Sequence, residues 1–176
     1  MEFYPLYETN PSLREIRNVC FRLGKERLVF TVLEELRRYN LGFGKLAALA
    51  YFCVKDRAEA MKVAKELNVS PRELSRAERE LRRRMKVYKA MSSAVLCPRC
   101  LSYHVVSKGG RTLCKSCGRT FTRSFDRRLA WRIFLAREGT LRTRERSVEE
   151  VAKELKVSKK TVVKYLKILK KLYLEA

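Results

Sequence analysis

Four of the six cysteines fall into two pairs, Cys97-Pro98-Arg99-Cys100 and Cys114-Lys115-Ser116-Cys117, with thirteen residues between them. No other feature restricts the fold so tightly. Each C-x-x-C turn aims two thiolates at one point, and four convergent thiolates form the closed tetrahedron that Zn²⁺ prefers. One structural Zn²⁺ held by Cys97, Cys100, Cys114 and Cys117 is therefore expected. Such a site has no open coordination position, so it folds its segment and offers nothing to catalysis. A redox role for the C-x-x-C pairs is weaker, because neither lies in a βαβ context. His104 is the chain's single histidine, and with four thiolates already present it reads as a surface residue or a phosphate contact.

Between the pairs, residues 103–107 and 111–113 read as short strands joined by Gly109-Gly110, a hairpin turn dipeptide. Phe121 is placed on a third strand over the small core. This ribbon, residues 95–122, carries five basic residues and no acid. Arg111, Lys115 and Arg119 are candidate phosphate contacts on it.

Six cysteines would also suit a secreted disulfide scaffold. Against that, Met1-Glu2-Phe3-Tyr4-Pro5 lacks the basic and apolar regions of an export signal. The longest apolar run, residues 46–54, is about half of what a bilayer requires. The expectation is a soluble cytoplasmic protein, associated with the nucleoid and not with a membrane. Cys20 and Cys53 lie in apolar helical stretches and read as small buried hydrophobes.

A second constraint is an internal repeat. Val63-Ala64-Lys65-Glu66-Leu67-Asn68-Val69-Ser70 recurs 88 residues later as Val151-Ala152-Lys153-Glu154-Leu155-Lys156-Val157-Ser158, with one mismatch in eight. In each copy a helix with a small inward Ala ends at a tight turn, and Ser70 or Ser158 then caps a second helix. Pro71 suits the first position of that helix. This is the pattern of a helix-turn-helix, with Val69 or Val157 plugging the turn and Leu74 or Val162 anchoring the second helix. Gly commonly holds the turn position occupied here by Asn68 and Lys156. Asn tolerates the left-handed conformation, and Lys does so less well.

Elsewhere the 3.6-residue period predicts further helices. Ser12-Leu13-Arg14-Glu15 has the form of a capping box. Leu28, Val29, Val32, Leu33 and Leu36 continue the period, and Asn40, Gly42 and Gly44 interrupt it. Residues 45–54 are apolar almost all round, which places them in the middle of a helical core. An amphipathic helix is expected over 126–138, with Leu129, Ile133 and Phe134 inward and Trp131 nearby. The expected fold is mainly α with a small β zinc ribbon, two helix-turn-helix-type modules flanking the Cys₄ site. Its domains are 1–94, an N-terminal helical unit; 95–122, the ribbon; and 123–176, a three-helix unit.

Charge points to the partner. Lys and Arg number 41 against 19 acids, a formal charge of +22, and the excess is spread as +8, +5 and +9 over those three segments. Absence of Gln and abundance of Lys, Arg and Glu suit a thermophile, but that explains charge density and not its sign. A polyanion explains both. In the C-terminal second helix, Val162, Tyr165, Leu166 and Leu169 face inward and Lys160, Lys164, Lys167 and Lys171 outward, and no acid interrupts residues 155–174. Ser158, Lys159, Lys160, Thr161, Val163 and Lys164 lie at the end that enters a major groove. The N-terminal second helix offers Arg72, Arg76 and Arg83, with Glu73, Glu78 and Glu80 interleaved, so it is the less clear groove reader. Its Leu74, Ala77, Leu81, Met85 and Tyr88 stripe packs within the domain or onto a second copy in a homodimer.

Residues 97–171, some two fifths of the chain, resemble the zinc-ribbon plus helix-turn-helix DNA-binding region of insertion-sequence transposases. The resemblance rests on Cys97-Pro-Arg-Cys100, Cys114-Lys-Ser-Cys117-Gly118-Arg119-Thr120-Phe121 and the stretch from Val151-Ala152 to Thr161-Val162. It implies DNA binding with the four Cys as metal ligands, and no chain remains for an acidic-triad catalytic domain. The order helix-turn-helix then ribbon in residues 1–122 is also similar to archaeal general transcription factor E, which favours transcription among DNA-related roles and its machinery among the partners. No catalytic constellation is evident: no His pair, no G-x-S-x-G, no phosphate-binding Gly-rich loop. The expected function is a non-enzymatic, zinc-stabilised DNA-binding transcription regulator, with DNA favoured over RNA. The alternatives are an RNA- or ribosome-associated ribbon factor and the DNA-targeting subunit of a recombinase or transposase.

Overall fold

The structure is a computed structural model that describes residues 10–22, 24, 26–42, 44–93, 95–122, 125–141 and 145–175. The start of the chain at residues 1–5 and the side chains of Leu28, Val29 and Leu33 lie outside the described residues. Helices dominate: α1 (Pro11–Arg22), α2 (Glu26–Tyr39), α3 (Lys45–Lys55), α4 (Arg57–Glu66), α5 (Pro71–Ser93), α6 (Arg127–Glu138), α7 (Val148–Leu155) and α8 (Lys159–Glu175). A small antiparallel sheet of β1 (Val105–Lys108), β2 (Arg111–Cys114) and β3 (Thr120–Phe121), in that order, sits between α5 and α6 in the chain. Among the described residues no helix is long and apolar enough to cross a membrane.

Contacts divide the chain into two compact units, residues 1–85 with 139–144, and residues 86–138 with 145–176. In the first unit α3 is the central element, as its uninterrupted apolar sequence requires. Ala47 through Cys53 are all buried, and the small Ala side chains let α2 and α4 approach closely. Cys20 and Cys53 belong to this core, 1% and 3% exposed, and burial raises the Cys20 thiol to about 11.

The first helix starts otherwise than the capping-box pattern predicts. Asn10, not Ser12, is the cap: its Oδ1 accepts the Ser12 and Leu13 N–H groups at 3.0 and 3.2 Å. Pro11 takes the first helical position, where its missing N–H costs nothing, so Ser12 is already inside the helix. Glu15 is released to pair with Lys45 at 3.1 Å.

Arg84 clamps this unit from within. Only 2% exposed, it donates to the carbonyls of Tyr39 and Gly139, each at 2.8 Å, and of Asn40 at 3.2 Å, while Glu80 accepts from its Nε at 2.9 Å. Glu80 is itself held below its ordinary pKa. Burial opposes ionisation there, but hydrogen bonds from Arg83 and Arg84 outweigh it. The apolar stripe of α5 is consumed inside the chain, with Leu74, Ala77 and Leu81 each 1% exposed.

In the second unit Ile133, Phe134, Val151, Val162, Tyr165, Ile168, Leu169 and Leu172 form the core. Asp126 accepts from the Leu129 N–H at 3.1 Å and begins α6. Trp131 stacks on Phe134 with ring centroids 5.1 Å apart and meets Tyr88 edge-on at 4.9 Å. Ile168, absent from the expected inward set, is 1% exposed, and Leu166 is only partly buried: the contact face of α8 is rotated about the helix axis toward Tyr165, Ile168 and Leu172. Leu96 and Leu101 of the ribbon segment pack into this same cluster.

Candidate metal centre and nucleic-acid interface

The two cysteine turns are built alike. In the first, Leu101 N–H donates to Cys97 O at 2.9 Å and Cys97 N–H to Ser102 O at 3.0 Å; in the second, Gly118 donates to Cys114 O and Cys114 to Arg119 O, both at 2.9 Å. The residue after the second Cys has positive φ in each, +58° at Leu101 and +73° at Gly118. Gly adopts this freely, whereas a non-Gly residue pays about 1–2 kcal/mol. The Leu101 side chain offsets this by packing against the helical core. Its carbonyl accepts from Lys171 Nζ, and that ammonium also sits 5.6 Å from the Tyr103 ring centroid.

All four thiolate sulfurs lie within 4.8 Å of one another, with Cys97 to Cys117 at 3.6 Å and Cys100 to Cys114 at 3.5 Å. A disulfide would need about 2.05 Å. A tetrahedron with metal–sulfur bonds of about 2.3 Å has edges of about 3.8 Å, so the four residues fit one metal ion. The turns also favour thiolate. Burial opposes ionisation of Cys97, but the N–H groups of Cys100 and Arg99 and the neighbouring thiols bring it down to about 6. Cys114 is lowered in the same manner by the N–H groups of Cys117 and Ser116. At Cys100 the N–H of Ser102 favours the thiolate, yet burial and the three other sulfurs prevail and hold the proton, to about 11. A cation reverses that last balance. Ser102 and Ser116, not singled out by the spacing, join the two turns through their hydroxyls at 2.8 Å.

The hairpin pairs Val105 with Cys114 and Lys108 with Arg111 across Gly109-Gly110, whose φ values of +58° and +75° match a tight two-residue turn. Phe121 joins Cys97 and Cys114 in the ribbon core, as the third strand was expected to allow. His104 is exposed. So are Arg111, Lys115 and Arg119.

At the C-terminal repeat, Ser147 and Glu150 form a capping box at the start of α7. The helix ends on Lys156 at φ +55°, ψ +43°, and Val157 N–H closes the turn on Ala152 O at 3.1 Å. Lys therefore does adopt the left-handed turn, held there by that hydrogen bond. Ser158 Oγ accepts the Thr161 N–H at 3.1 Å and contacts the Thr161 hydroxyl at 2.9 Å, which starts α8. Lys160, Lys164 and Lys167 stand exposed at i, i+4 and i+7 on its outer face, and Val163 beside them is 39% exposed. None of those three lysines has an ion pair or hydrogen bond among the described residues. Lys159 pairs with Glu149 at 3.3 Å between two exposed side chains, a contact worth at most about 1 kcal/mol and readily exchanged. Lys171 is the exception, occupied by the ribbon as described above.

The family described as Bacterial regulatory protein, arsR family, matches residues 140–174. This segment is an ArsR-type helix-turn-helix, a regulator-type module that speaks for DNA binding. The match covers about a fifth of the chain. No curated protein and no solved structure matches the chain.

The N-terminal repeat has the same local geometry. Asn68 has φ +54°, Val69 N–H donates to Ala64 O at 3.0 Å, and Ser70 Oγ accepts the Glu73 N–H at 3.2 Å. Arg72 and Arg76 are exposed on the α5 that follows. Arg83 is drawn into an ion pair with Glu80 at 2.8 Å.

Proposed function

We propose that the protein is a non-enzymatic DNA-binding transcription regulator stabilised by one Zn²⁺, acting on the nucleoid. The observation that carries this reading is the free cationic face of α8 in the ArsR-type segment. A helix whose N-terminus is capped, whose first turn lacks acid, and whose outer face offers Lys160, Lys164 and Lys167 fits a major groove between phosphate rows. In this reading Ser158 and Thr161 shape the helix start, Lys159 trades Glu149 for phosphate, and Val163 meets a thymine methyl. Arg111, Lys115 and Arg119 add phosphate contacts from the ribbon. Lys171 serves the ribbon instead.

Zn²⁺ is the ion assigned to the four cysteines, because a closed set of four thiolates is its preferred structural site. When bound it supplies charge neutralisation and a fixed fold, and no chemistry on a substrate. The test is the Lys160→Ala, Lys164→Ala double variant in titrations of a duplex at several salt concentrations. Each lost phosphate contact lowers the slope of log K against log salt by about 0.9, so the double variant should lose about 1.8. An unchanged slope overturns the groove assignment. Parallel titration with structured RNA discriminates the RNA-binding alternative: tighter binding there than to duplex DNA would replace this proposal.

A further inference from the structure

The 88-residue repeat extends beyond the turn into the second helices. Shifting by 88 carries Arg72 onto Lys160, Arg76 onto Lys164, Arg79 onto Lys167 and Arg83 onto Lys171. In both copies the fourth cation is tied down within the chain, Arg83 by Glu80 and Lys171 by the Leu101 carbonyl. Both copies leave the first three exposed.

Glu73, Glu78 and Glu80 interleave with the arginines of α5. Glu73 is occupied by the cap, its Oε2 accepting from Ser70 Oγ at 3.0 Å. Glu78, 6% exposed, is bound by Arg82 at 3.0 Å and by Arg57 of α4 at 3.4 Å. Glu80 holds Arg83 and Arg84. Glu78 and Glu80 are thus neutralised by cations and Glu73 is engaged by the cap, while Arg72, Arg76 and Arg79 have no ion pair or hydrogen bond among the described residues.

We infer that Arg72, Arg76 and Arg79 form a second nucleic-acid site on α5, which reads guanine edges in duplex DNA. The residue type decides the division of labour. A guanidinium presents a planar fork that matches guanine O6 and N7 with two hydrogen bonds, whereas the ammonium of Lys is a compact point charge. The lysine face of α8 then supplies affinity with little preference for sequence, and the arginine face of α5 supplies discrimination. This rests on the reading that the polyanion is duplex DNA.

The full chain with its metal is used to select from a random duplex library, and the selected duplex is compared with a scrambled one. The variant carries Arg72→Lys, Arg76→Lys and Arg79→Lys, which keep charge and remove the fork. These side chains are exposed and make no ion pair or hydrogen bond among the described residues, so helix content by circular dichroism and the urea midpoint should match wild type. Binding to the scrambled duplex and its salt slope should also stay within about twofold. Preference for the selected duplex should fall roughly five- to 150-fold for each guanine no longer read in bidentate fashion. Equal preference in variant and wild type overturns the inference, as does a selection that yields no guanine requirement. The Lys160→Ala, Lys164→Ala variant separates the two readings. If it binds normally while the arginine variant loses preference, the α8 assignment fails and the α5 site stands.

Discussion

Replacing Arg84 by Met should destabilise the protein more than any single change to the cationic faces. Met keeps much of the stem volume and removes the fork. The structure shows three main-chain carbonyls, of Tyr39, Asn40 and Gly139, served by one guanidinium that is 2% exposed. A buried acceptor left without a donor costs about 1–3 kcal/mol; the Gly139 carbonyl keeps a long hydrogen bond from Asn40 Nδ2 at 3.4 Å, and solvent reaching another of the three recovers part of the rest. Glu80 keeps Arg83 as a partner, so no isolated buried carboxylate is created. The net loss should therefore be about 3–5 kcal/mol, the range found when one partner of a buried charged network is removed. Against a total stability of about 5–15 kcal/mol, that is a large fraction. Urea denaturation followed by far-UV circular dichroism measures it as a fall in midpoint at unchanged slope. Arg84→Lys keeps the charge but reaches fewer carbonyls, and should fall between. If Arg84→Met lies within about 1 kcal/mol of wild type, the Tyr39 and Asn40 carbonyls find other donors too and the clamp is not what holds residues 39–41 and 139–141 together.

Two further expectations concern the turn and the metal. Lys156→Gly should raise stability by about 0.5–1 kcal/mol, since it relieves a left-handed Lys costing about 1–2 kcal/mol while adding some freedom to the unfolded chain; a lower melting temperature would contradict the turn geometry. Native mass spectrometry should find one Zn²⁺ per chain, and a chelator should weaken duplex binding and shift the fluorescence of Trp131, because Leu96 and Leu101 leave the core that Trp131 also packs against. Retention of both signals after metal loss would show that the ribbon and the C-terminal helices are independent.

Much of the candidate site can be read from local sequence, and the parts that cannot share a cause. The four cysteines, the Gly109-Gly110 hairpin and the Ser158 cap are recognisable because each depends on residues a few positions apart. The start of α1 is ambiguous at the same scale, since Asn10-Pro11 competes with Ser12 for the cap and only backbone geometry shows which side chain accepts the N–H groups. Lys171 looked like a member of the outer stripe by spacing alone. Its capture by the Leu101 carbonyl, 70 residues away, has no local signal.

The sequence by itself determined the metal-binding quartet, the helical repeat and the surplus of positive charge, because thiolate spacing, helical period and residue type are carried by short segments. Tertiary structure alone decided which charges remain available. Glu73, Glu78, Glu80, Arg83, Arg84 and Lys171 are engaged by the cap, by neighbouring turns or by distant backbone, and formal charge does not reveal whether a group has a partner. The matching stripes left exposed, Arg72, Arg76 and Arg79 on one second helix and Lys160, Lys164 and Lys167 on the other, are therefore a product of folding as much as of composition.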